Sequence, residues 1–69
     1  MIKLSANYIE ELLYTGLYTP GLCVAVDCNE FDEYAGVEPD ADKYSCPCCE
    51  RPTFYGLEQA LLLGLVRVS

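Results

Sequence analysis

The sequence predicts a small α+β fold, and three observations carry that prediction. Two segments repeat apolar residues at helical spacing and then reach a glycine. Short runs rich in valine and leucine lie between turn residues, as strands do. The cysteines fall into two close pairs. At 69 residues the chain has room for one core, and residues 1–69 are expected to form a single domain. A chain this short rarely folds on apolar burial alone, so a disulfide framework, a metal or an oligomer contact is expected to supplement the core. Hydrophobic residues make up 52% of the composition, which argues against disorder.

Residues 1–21 read as a mostly helical zone followed by a turn. Ile9, Leu12 and Leu13 recur at i, i+3 and i+4, while Glu10 and Glu11 fall off that stripe. Asn7 followed by Glu10 fits an asparagine-capped variant of the capping box, and Gly16 suits the residue just past the last turn. "TPG" at 19–21 then breaks the chain. The second zone, 22–55, opens on "LCVAVDC", a short strand over 22–26 that runs into a turn. An acidic loop follows over 29–43, punctuated by Gly36 and Pro39, in which Phe31, Tyr34 and Val37 have the spacing of one helical turn. The last zone, 56–69, combines a helix over 57–63, ended by Gly64, with a strand over 65–68. The strands near 22–26 and 65–68 are expected to pair and cover the leucine faces of the helices. "IEELLYTGL" and "LEQALLLGL" echo each other at several positions, and a shared glycine-cap chemistry accounts for the echo without a duplication.

The five cysteines carry the chemistry. Cys23 and Cys28 form one close pair, and Cys46 and Cys49 form another inside "CPCC". Two close pairs separated by a loop are the layout of a four-cysteine structural metal site, because a tetrahedral ion takes two ligands from each of two tight turns. Cys46 and Cys49 have the two-residue separation of a zinc knuckle, stiffened by Pro47. Cys48 occupies the second spacer position, where its side chain is expected to point away from the ion. The expected ligands are therefore Cys23, Cys28, Cys46 and Cys49, holding structural Zn²⁺, with Cys48 as the spare thiol. Iron is the second-ranked ion, since thiolates suit both. Disulfides need an oxidising compartment. The N-terminal stretch lacks the long apolar run of a signal peptide, so the expected compartment is the cytoplasm.

Catalysis is not expected. The chain has no histidine, four thiolates saturate the ion, and no phosphate-cradling loop is present. Its formal charge is −7, and Lys3, Lys43, Arg51 and Arg67 lie far apart in sequence, so direct binding to nucleic acid or an anionic membrane is disfavoured. The longest apolar run, "ALLLGLV", is far short of the roughly 20 residues of a membrane-spanning helix. A protein partner with a basic surface is the natural counterpart. The carboxylates from Asp27 to Asp42, with Phe31 and Tyr34 among them, read either as a docking surface or as a solubilising loop. "LLLGLV" also keeps homo-oligomerisation among the expectations.

The stretch "YSCPCCERPTFYGLEQALLLGLV" resembles the small zinc-ribbon-like proteins often encoded by bacteriophages. There a Cys-Pro-x-Cys knuckle precedes an aromatic residue, a glycine, an acidic residue and a leucine-rich helix. The likeness covers the C-terminal third through Cys46, Pro47, Cys49, Tyr55, Gly56, Glu58 and Leu61 to Leu63. Cys48 and the four-residue spacer of the first pair depart from the plainest ribbon pattern. The resemblance implies a zinc-ribbon-like domain and an accessory protein that binds and modulates a host protein in the host cytoplasm. The alternatives are an acidic nucleic-acid mimic that blocks a DNA- or RNA-handling protein, a zinc-ribbon nucleic-acid binder, and an iron–thiolate electron carrier.

Overall fold

The computed structural model describes residues 2–69. Seven elements follow one another: β1 (Ile2–Leu4), α1 (Ala6–Tyr14), β2 (Gly21–Cys23), β3 (Phe31–Asp32), β4 (Phe54–Gly56), α2 (Leu57–Leu62) and β5 (Val66–Val68). They make an α+β structure with two small sheets, a parallel pair β1–β5 and an antiparallel sheet in the order β3–β2–β4.

The described residues start as a strand, not as the mostly helical zone expected over 1–21, of which residue 1 lies outside the described residues. Ile2, Lys3 and Leu4 pair with Val66, Arg67 and Val68, a partner at the far end of the sequence that no local pattern announces. This corrects the expected pairing of the two predicted strands, because β5 pairs with β1 and β2 pairs with β3 and β4. The helix cap is corrected as well. Ser5 is the N-cap, and its hydroxyl accepts the Tyr8 N–H at 3.2 Å, so Asn7 lies inside the first turn. At the other end Gly16 has φ +73°, a left-handed conformation that glycine reaches without strain, and α1 stops there. Gly64 does the same for α2 at φ +71°.

Ile9 and Leu12 are buried as their spacing predicts, and Leu12 joins Leu22, Tyr55, Leu57, Ala60 and Val66 in the main apolar core. A second cluster, Cys23, Cys46 and Phe54, forms around the thiols. Residues 29–43 do not form the helical turn their spacing allows. Phe31 is in β3, half-buried against the core and 6.2 Å from the Tyr8 ring, so it serves packing.

The acidic loop also closes the start of α2. Gly56 offers no capping side chain, and the backbone supplies the acceptors: the Gln59 N–H reaches the Pro39 carbonyl at 2.9 Å and the Leu57 N–H the Pro20 carbonyl at 3.3 Å. The Gly56 N–H in turn bonds the Ala41 carbonyl at 3.0 Å. A side chain at position 56 would collide with the carbonyls of Glu38 and Pro39, so the loop lies against the β4–α2 junction. Among the described residues no helix is long and apolar enough to cross a membrane.

Candidate metal centre

Two hairpin tips build the site. The first closes the β2–β3 hairpin, where the Cys23 N–H meets the Glu30 carbonyl at 2.7 Å. The second closes on the paired bonds between Tyr44 and Phe54, at 2.9 and 3.0 Å. Antiparallel pairing of β2 with β4, Cys23 opposite Phe54, sets the two tips side by side.

The tips share one backbone conformation. In the second, the Glu50 N–H returns to the Cys46 carbonyl at 2.8 Å and Glu50 takes φ +59°. In the first, the Asn29 N–H returns to the Ala25 carbonyl at 2.9 Å and Asn29 takes φ +49°. Cys28 thus stands where Cys49 stands, while the place of Cys46 is held by Ala25. Cys23, two residues earlier on the strand, supplies the missing thiol. This explains the four-residue spacer, because one turn is a knuckle and the other is the same turn with its first thiol moved onto β2.

The four sulfurs of Cys23, Cys28, Cys46 and Cys49 all lie within 4.8 Å of one another. Two of the separations, Cys23 to Cys49 and Cys28 to Cys46, are 3.7 Å. An ion held tetrahedrally by metal–sulfur bonds of about 2.3 Å would space its sulfurs about 3.8 Å apart. The four thiols therefore fit a metal ion. Cys48 is exposed and lies outside the group.

Hydrogen bonds and burial act unevenly on these sulfurs. Cys46 Sγ accepts the backbone N–H groups of Cys48 and Cys49, at 3.3 and 3.5 Å. Backbone hydrogen bonding from Arg51, together with the Thr53 hydroxyl and the Arg51 guanidinium, brings the Cys49 thiol down to about 6. Burial pushes Cys28 far the other way, and the adjacent thiols of Cys48, Cys46 and Cys23 add to the rise. The two shifts oppose each other, one favouring the thiolate at Cys49 and the other the thiol at Cys28. Cys23, Cys28, Cys46 and Cys49 would hold a cation as thiolates, and its charge would offset the cost of ionising Cys28.

Two neighbours of the sulfurs were not singled out for this role by the sequence. Thr53 places its hydroxyl 3.0 Å from Cys23 Sγ and 3.7 Å from Cys49 Sγ, in reach of one thiol from each tip. Arg51 spans the tips on the outside, donating to Asp27 at 2.7 Å. Their only signal in the sequence is position, two and four residues beyond Cys49. Val26 at the first tip is 85% exposed, and Phe54, Ala35 and Val37 wall the sulfurs on the inside.

No family model, curated protein or solved structure matches the chain, so its function is argued from this centre and the surface around it.

Proposed function

We propose that the chain is a zinc-stabilised, non-enzymatic protein-interaction module of the zinc-ribbon type, whose partner presents a basic surface. The observation that carries the metal half is the gathering of four cysteine sulfurs within 4.8 Å at two adjoining hairpin tips. Zinc is favoured because a closed four-thiolate shell is its usual structural site and leaves no position for a reacting water. The absence of histidine from the sequence supports the same reading. The formal charge of −7, with Glu30, Asp32, Glu38, Asp40 and Asp42 all exposed, supports a basic partner. The resemblance to phage-encoded zinc-ribbon-like accessory proteins extends the proposal to a factor that binds and modulates a host protein.

Native mass spectrometry with elemental analysis tests the metal half. The expected result is one zinc per folded chain, lost together with the fold in Cys49→Ser. Iron, or a folded chain without metal, overturns it. Titration with oligolysine and with single- and double-stranded DNA tests the partner. Salt-sensitive binding to oligolysine alone is expected, and binding to DNA overturns the protein-module reading in favour of nucleic-acid recognition.

A further inference from the structure

A cavity of about 110 Å³ opens on the side of the molecule where α1 ends and α2 begins. Leu12, Leu13, Val37, Pro39 and Leu57 form much of its wall, and the exposed residues Gly16, Thr19 and Glu58 help to form its mouth. Of the two hydroxyl-bearing residues of the wall, Tyr18 and Thr19, Thr19 already accepts the Gly36 N–H at 3.1 Å. No buried side-chain nitrogen or oxygen among the described residues lacks a partner. The space has little to hold a water and its wall is mainly apolar, so an apolar group is its natural occupant. A cavity of about 150 Å³ accepts benzene, so this smaller one suits a branched or linear aliphatic side chain better than a large aromatic.

The charge around it has one sign. Glu58 lines the cavity, and Glu38 lies between its lining residues Val37 and Pro39. Glu11 stands near enough to the lining Tyr18 to be the main cause holding that phenol above its usual range. None of Lys3, Lys43, Arg51 and Arg67 lines the cavity. We infer that this cavity receives one aliphatic side chain, of leucine, isoleucine or methionine size, from a protein segment that flanks it with lysine or arginine. The inference rests on the interaction-module reading and deepens it, because it names the surface and the chemistry of the partner segment. The apolar side chain supplies the anchor and the carboxylates select the flanks.

Panning a random heptapeptide library against the metal-loaded chain, followed by NMR titration of the enriched peptides into ¹⁵N-labelled protein, tests it. Enriched peptides should carry an aliphatic residue within two positions of lysine or arginine, and should shift the amides of Leu13, Gly16, Thr19 and Leu57. Alanine at the aliphatic position of the peptide should weaken binding about tenfold or more, the scale of a lost anchor. So should Leu13→Trp, which fills the cavity. Glu58 is exposed, so Glu58→Lys gives a second reading should Leu13→Trp misfold, and it should weaken basic peptides about tenfold. Peptides that bind undiminished to both variants overturn the cavity assignment and leave the interaction module standing. No enrichment by the folded, metal-loaded chain overturns both. A dimer of the chain that both variants disperse overturns the peptide proposal in favour of a second copy as the occupant.

Discussion

Replacing Cys28 with serine separates coordination from packing more cleanly than replacing Cys23 or Cys46. Cys23 and Cys46 are buried, at 0% and 1% exposure, so their loss would also damage the core. Cys28 is only partly buried, and if it served packing alone a serine there would cost under about 1 kcal/mol. As one of four ligands it carries much more. Structural zinc contributes about 10–16 kcal/mol in small domains at neutral pH. A chain of this length has a net stability of only about 3–10 kcal/mol. Losing the ion therefore exceeds the whole margin, and the Cys28→Ser chain should show no cooperative thermal transition and no bound metal. The exposed Cys48 gives the control, since Cys48→Ser should stay within about 0.5 kcal/mol of the unaltered chain and keep its ion. Circular dichroism melts with and without a chelator, on samples of known metal content, read both variants. A Cys28→Ser protein that melts within a few degrees of the unaltered chain would refute the reasoning, as would a chelated chain whose transition is unchanged.

Gly56→Ala should destabilise the chain by about 1–3 kcal/mol in denaturant titration, because the added carbon meets the backbone of Glu38 and Pro39, which cannot yield as a side-chain tip would. Ser5→Ala should cost about 1 kcal/mol while Asn7→Ala stays near neutral, a contrast in melting temperature that distinguishes the observed cap from the one the sequence suggests. Tyr8 donates its hydroxyl to Glu33, and burial with that bond raises its pKa from 10.0 to about 12. Folding therefore favours the protonated phenol, and its contribution is complete below pH 10 and lost as pH rises from 10 towards 12. Ultraviolet titration should show a phenol ionising at about 12 that is absent from Tyr8→Phe, and that variant should lose this part of the alkaline stability loss.

What the sequence discloses here is whatever short-range chemistry determines. The helix ends at Gly16 and Gly64 are legible because a left-handed residue is needed there and glycine supplies it cheaply. The pairing of cysteines is legible because ligands from tight turns must be close in sequence. The β1–β5 pair is not: the strand at 65–68 shows in its valines, but three residues at the N-terminal end are too few to show a period, and nothing local names them as its partner. The first cysteine turn is half legible. Its spacing suggests a loose knuckle, but that Ala25 stands where the other turn has a thiol, and that Cys23 on β2 supplies the sulfur instead, depends on how that strand meets β4. The acidic loop is least legible. Its charge suggests a solvated excursion, yet the uncharged backbone of Pro39 and Ala41 is what anchors it, and backbone acceptors leave no mark in composition.

The cysteine cluster and the apolar core are not independent. Leu22 and Cys23 are neighbours on β2, and their side chains fall into different clusters, Leu22 with Leu12 and Leu57, Cys23 with Cys46 and Phe54. Alternation along a strand produces this division, since adjacent side chains point to opposite faces. One strand thus carries the load of both, and an ion that fixes Cys23 also fixes Leu22 against the helices. Val37 makes a second link. It packs against the cysteine cluster and also lines the cavity beside α1 and α2, so the wall of the proposed receptor is held partly by the sulfurs. If the cavity receives a partner's side chain, its shape depends on the ion although no ligand cysteine lines it. Chelation should then abolish peptide binding at a chelator concentration no higher than the one that melts the sheet. A peptide that still binds the chelated, unfolded chain would be recognised by charge alone.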